Sequence, residues 1–150
     1  MKPLTDTIAE IKVSYTPSKQ PSPRIDSSTT AHDYLRMLFP EETIALQEQF
    51  VILYLNRANM VIGAYHAFTG GITGTVADIR IIMGVALKAM ACGMVISHNH
   101  PSGSLKPSSA DKHLTEKIKE AGKLMDINLL DHIILSPEGS FYSFADEGEL

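Results

Sequence analysis

One cysteine, Cys92, is all that this 150-residue chain holds, which excludes an internal disulfide and a multi-cysteine zinc cluster. There is also no apolar run near the roughly 18 residues that a membrane span requires. The first residues, MKPLTDTIAEIK, carry no secretory apolar segment. From these absences we expect a cytoplasmic protein with no membrane partner. Basic residues are not in excess: the net charge is −4 and the pI about 5.8. That balance argues against a broad phosphate-binding surface, though not against a local one. With 44% hydrophobic and 20% charged residues, the chain reads as one globular domain able to bury a real core. Cys92 lies among Ala, Met and Gly and reads as a small core residue rather than a nucleophile.

Residues 1–28 differ from the rest. TPSKQPSPRIDSS (Thr16 to Ser28) is rich in Pro and Ser and reads as an extended linker. The alternation of Ile8, Ile11, Val13 and Tyr15 before it suggests a short strand. The compact domain is expected over 29–150. Thr29 or Thr30 can cap a helix carrying Tyr34, Leu35, Leu38 and Phe39, stopped by Pro40. FVILYL, from Phe50, predicts a strand covered on both faces, and NRAN turns it into a partner strand starting at Val61. TGGITG lacks a following Gly-Lys-Ser/Thr, so it is a weak nucleotide signal. A helix is expected from about Val76 to Cys92, with Thr75 and Asp78 as a capping box and Gly93 as its stop. Its apolar face would be Ile82, Val85, Ala86, Ala89 and Met90. MVIS is the next buried strand. A second helix begins at Ser108 or Ser109 with Leu114, Ile118, Ala121 and Met125 on its apolar side; INLLDHIIL and SFYSF are the last strands. Strands alternating with helices imply an α/β protein, a mixed sheet with helices packed on it.

The chemistry lies in VISHNHPSGSLKPSSAD, Val95 to Asp111. On a strand, residues i and i+2 share a side, so His98 and His100 face one way and Asn99 the other. Two neutral imidazoles at a strand end suit a borderline metal such as zinc. Pro101 ends the strand, Ser102 and Gly103 let the chain double back, and Asp111 can add an oxygen ligand. Three protein ligands leave a fourth position for water, the mark of a catalytic rather than a structural zinc site. Ser108 and Asp111 also read as a plain Ser-x-x-Asp helix cap. Capping leaves the two histidines unexplained.

This pattern resembles the motif of the JAMM metalloproteases, also called MPN or JAB proteins. It is His-x-His, seven residues, then Ser-x-x-Asp, here His98, His100, Ser108 and Asp111. HNHPSG, the later LLDHIIL and the alanine-rich helix before the histidine strand resemble the RadC branch, over roughly Glu41 to Phe144. The resemblance implies an α-β-α fold related to that of cytidine deaminases, with one zinc ion per chain bound by His98, His100 and Asp111. It implies that Glu48, placed in LQEQFVILYL two residues before Phe50, is the general acid/base. Glu41 and Glu42 lack that phenylalanine context. It also implies that Ser108 hydrogen-bonds the oxyanion of the tetrahedral intermediate. The reaction so implied is metal-dependent cleavage of a peptide or isopeptide bond in a peptide or protein substrate; in the superfamily, removal of ubiquitin-like modifiers is among the activities.

His113 lies about 200° around the helix from Asp111 and should face elsewhere. His132, beside Asp131, reads as packing or support for the ligands, and His32 and His66 show no partner. RadC-like proteins are commonly labelled DNA repair proteins, which gives the alternative of a nucleic-acid-linked or non-catalytic scaffold role. Longer relatives carry a helix-hairpin-helix type region, where this chain has a short Pro/Ser-rich lead and an acidic balance. Zinc-dependent base deamination needs a Pro-Cys-x-x-Cys ligand pair, which a lone Cys92 does not supply. The substrate and the oligomeric state are left open by the sequence.

Overall fold

The computed structural model describes residues 7–12, 14–70 and 77–150. Strand β1 (Gln49–Leu55) is buried throughout, as its unbroken apolar sequence predicts. Its pleat sends Phe50, Ile52 and Tyr54 to one face, and Val51, Leu53 and Leu55 to the other. β2 (Val61–Thr69) pairs with it as an antiparallel hairpin. The Asn56 carboxamide holds that turn by accepting from the Ala58 and Met60 amides, and Asn59 takes a positive φ of 61°, which asparagine tolerates. On the other side of β1 lies antiparallel β3 (Gly93–Asn99). β4 (Asn128–Leu135) runs parallel to β3, and β5 (Phe141–Ser143) antiparallel to β4. The result is a mixed five-stranded sheet in the order β2-β1-β3-β4-β5.

Three helices cover it: α1 (Ser28–Arg36), α2 (Ile79–Lys88) and α3 (Ser109–Leu124). Ala31 and Leu35 of α1 pack with Val51, Leu53, Val95 and Ile133 on one face. Ile82, Met83 and Ala86 of α2 and Ile118 of α3 pack with Phe50, Ile52, Met94 and Ile96 on the other. This is the α-β-α layering expected. Each such fully buried aliphatic or aromatic side chain contributes about 1.5–3 kcal/mol relative to exposure. Ordered packing also reaches back to Pro23, whose carbonyl accepts from Val61, and to Ile25, buried in the α1-side core.

Several element ends differ from expectation. Ser27, not Thr29 or Thr30, caps α1 by accepting from the Thr30 amide; the Thr30 hydroxyl instead donates to Asp26. That helix ends at Arg36, and single turns from Leu38 and Phe39 lead to Pro40. In α2, Asp78 is itself the N-cap rather than the third residue of a capping box; Thr75, Val76 and most of TGGITG lie outside the described residues. Met90 occupies the positive-φ position (54°) after the helix and is exposed, as is Met125 after α3; neither joins an apolar face. Gly93 starts β3 rather than ending the helix, and a Cβ there would sit 2.7 Å from Leu130 Cδ1. Cys92 is exposed, not a core residue: its backbone is held by Leu55 and Asn128. The described residues between 7 and 15 form no strand element; Val13 is outside them. Tyr15 is tied down by its hydroxyl, which donates to the Ile62 carbonyl.

Candidate metal centre

Because β1 and β3 are antiparallel, the start of β1 lies beside the end of β3, with Phe50 opposite His98. That register brings Glu48, two residues before Phe50, to the His98 side chain. The crossover from β3 to parallel β4 runs through α3, whose first turn comes down over the same strand end. Four side chains meet there. Nε2 of His98 and Nε2 of His100 are 3.0 Å apart. The Asp111 carboxylate places Oδ1 3.3 Å from His98 Nε2 and Oδ2 3.3 Å from His100 Nε2. Glu48 Oε1 is 3.9 Å from His98 Nε2, and the side chain is mostly buried, not solvated.

These spacings fit a tetrahedral metal. Bonds of about 2.0–2.2 Å put neighbouring ligand atoms about 3.3–3.6 Å apart, within a few tenths of an ångström of the His98, His100 and Asp111 separations. The ligand atoms of Glu48, His98 and His100 also lie within 4.8 Å of one another, close enough to share an ion. The hydrogen bonding has the same sense. His100 Nδ1 is 2.6 Å from the Ser104 carbonyl oxygen, which can only accept, so Nδ1 carries that ring's proton and Nε2 of the neutral ring offers a lone pair. Electron-rich atoms converging on one point are stable together only around a cation.

Without a metal, that cation is a proton. His100 is held above the ordinary value of 6.5, chiefly by its hydrogen bond to Asp111, with burial opposing and Ser104 assisting. Burial works to raise the Asp111 carboxyl, but the close contacts with the His100 and His98 rings outweigh it and hold the group far below the usual carboxylate range. A histidine whose pKa rises on folding adds stability that is present in full below about 6.5 and lost as pH climbs through the folded value. Thermal unfolding of the metal-free protein should therefore show a falling Tm as pH rises above 6.5, with a flatter slope in His100→Gln. An unchanged slope in that variant refutes the assignment.

Ser108 is the N-cap of α3, and Ser108 and Asp111 form a full capping box: the Asp111 amide donates to Ser108 Oγ, and the Ser108 amide donates to Asp111 Oδ2. The cap and the cluster are thus one structure, with the other carboxylate oxygen, Oδ1, against His98. Ser108 Oγ accepts in the cap, which leaves its own proton for another acceptor.

Asn99 explains the residue between the histidines. Pleated to the opposite face and fully buried, it accepts from the Gln49 amide at 2.7 Å and donates to the carbonyls of Ile44 and Gln47 at 2.7 and 3.0 Å. It therefore clamps the segment that carries Glu48. Asn99→Leu should strand two buried backbone groups and one half-buried one, at about 1–3 kcal/mol for each buried group, measurable by urea denaturation; a change within error argues that the clamp is idle.

A family model for the RadC-like JAB domain matches residues 25–149. The chain belongs to that family. It is 41% identical over 125 residues to a UPF0758 protein of Flavobacterium johnsoniae, covering 83% of this chain and 54% of that one. To a UPF0758 protein of Porphyromonas gingivalis it is 36% identical over 143 residues, 95% of this chain and 63% of the relative. A Streptococcus gordonii UPF0758 protein is 44% identical over 104 residues, 69% of this chain and 46% of that protein. The chain thus spans about half to two-thirds of the length of these relatives. No described helix is long and apolar enough to cross a membrane.

In this RadC-like JAB domain His132 is closer to the cluster than its sequence position suggested. It is fully buried, with Nε2 2.8 Å from His98 Nδ1, and burial holds its pKa well below 6.5. His113 is exposed and turned away, as expected. His32 is buried and stacks on Phe141 at 4.4 Å, and His66 is exposed on the edge strand β2. Thr115, which touches both α3 and His132, drew no attention in the sequence; its signal is a position one helical turn after Asp111.

Proposed function

We propose that this domain is a zinc-dependent hydrolase of the JAMM type that cleaves peptide or isopeptide amide bonds. The observation that carries the reading is the convergence of His98, His100 and Asp111 at the spacing of tetrahedral ligand atoms, with Glu48 Oε1 beside them, 3.9 Å from His98 Nε2. His98 Nε2, His100 Nε2 and an Asp111 carboxylate oxygen would hold one zinc ion. Bound there, zinc supplies the Lewis acidity that brings the pKa of water down to about 7 and polarises the substrate carbonyl.

The chain's own residues do the rest. Glu48 takes a proton from the attacking water as its oxygen bonds to the carbonyl carbon, then delivers that proton to the departing nitrogen as the C–N bond breaks. Ser108 hydrogen-bonds the carbonyl oxygen through its hydroxyl as negative charge builds there, a contribution worth roughly 100-fold or more in rate. Its position at the helix N-terminus sets that donor before substrate arrives, and the positive end of the helix dipole favours the same charge.

The test is to incubate the zinc-loaded chain with a peptide library and with isopeptide-linked conjugates, reading products by mass spectrometry. Cleavage that a chelator stops and zinc restores supports the reading. Intact substrates throughout, from protein shown to hold zinc, overturn it.

A further inference from the structure

Behind the cluster lies a chain of hydrogen bonds that leaves the metal centre and re-enters α3. His98 Nδ1 is 2.8 Å from His132 Nε2. His132 Nδ1 is 2.6 Å from Thr115 Oγ1. Thr115 Oγ1 donates to the backbone carbonyl of Asp111 at 2.7 Å, an ordinary back-bond for a helical threonine. A hydroxyl has one proton and a neutral imidazole one donor and one acceptor, so the direction of every link follows from the last. Thr115 gives its proton to Asp111 and must accept from His132 Nδ1–H. His132 Nε2 is then bare and must accept from His98 Nδ1–H. His98 is left with its lone pair on Nε2, the atom facing His100 and Asp111.

We infer that Thr115 and His132 are positioning residues that fix the tautomer of His98, so that its Nε2 always meets the centre as a ligand and never as an N–H. The inference rests on the metal reading above and adds a determinant that lies one helical turn beyond the ligands. The packing suits the task. His132 is wholly buried, stacked on Phe144 at 4.6 Å with rings 10° from parallel and flanked by Phe50 at 6.1 Å, so its ring has no room to turn over. Running the chain the other way, with Thr115 donating to His132, would put a proton on His98 Nε2 and aim it at the metal position; binding would then require three protons to shift in concert.

Two measurements on the full chain test this. Zinc affinity is read by competition with a chromophoric chelator for the unaltered protein, Thr115→Val and Thr115→Ser. Loss of the hydroxyl should weaken binding about 10–100-fold, the range for partners that orient a metal-bound histidine, and serine should restore it. Long-range proton–nitrogen NMR of the metal-free protein at pH 8 should find the His98 proton on Nδ1, moving at least in part to Nε2 in Thr115→Val. A purely structural threonine would move neither tautomer nor serine-rescued affinity. Unaltered protein with its His98 proton on Nε2, or a valine variant that binds zinc as tightly, overturns the relay while leaving the metal reading intact. Unaltered protein that takes up no zinc overturns the metal reading and the relay together.

Discussion

Asp111→Asn is expected to lose tight zinc binding while keeping the fold. Asparagine retains a side-chain oxygen that can accept from the Ser108 amide, so the capping box at the start of α3 survives. What disappears is the negative charge between the two histidines, 3.3 Å from each Nε2. The loss of a charge near the helix N-terminus should cost stability about 0.3–1 kcal/mol. The loss of a ligand should weaken zinc by more than the roughly 100-fold that outer partners command. Chelator competition and a thermal melt on the same sample separate the two. If zinc affinity stays within a few-fold of the unaltered protein, Asp111 is a cap and nothing more, and the three-ligand centre fails with it.

Glu48→Gln should give the opposite division: zinc retained, turnover nearly abolished. The substitution preserves shape and hydrogen-bonding reach but cannot carry a proton. General acid–base catalysis is typically worth about 10²–10⁴-fold, so kcat for the proposed amide cleavage should drop by a factor in that range. Glu48 Oε1 stands 3.9 Å from His98 Nε2, against 3.3 Å for Asp111, and the proposed reading gives proton transfer to Glu48 and the metal to Asp111. A glutamine variant that loses zinc would make Glu48 a ligand instead. One that keeps full activity would remove it from the chemistry.

Much of this was legible because the relevant signals are local. The apolar run of β1, the period-two placement of His98 and His100, and the Ser108/Asp111 capping pair are each set by residues a few positions apart. They locate the sheet, two candidate ligands and the start of α3 without tertiary information. Helix ends were less legible. Ser27 competes with Thr29 and Thr30 for the same cap, and Met90 takes a positive-φ position where glycine is usual, while Gly93 lies three residues on at the start of β3. Cys92 has a core-like neighbourhood in sequence yet is exposed, because it sits between α2 and β3 rather than within either. His132 reads from sequence as packing or support, but its contact with His98 and the part of Thr115 were hidden for a further reason. His132 reaches His98 only through the parallel pairing of β3 with β4, and Thr115 reaches His132 only through the packing of α3 on that pair. Contacts across 34 and 17 residues leave no periodic trace.

The His-Asn-His tripeptide makes one strand end serve both sides of the sheet. The histidine rings project toward the Asp111 and Glu48 carboxylates, while the carboxamide between them grips the segment bearing Glu48. A shift of that strand end would carry both imidazoles and, through the carboxamide, the Glu48 segment together, while Asp111 rides separately on α3.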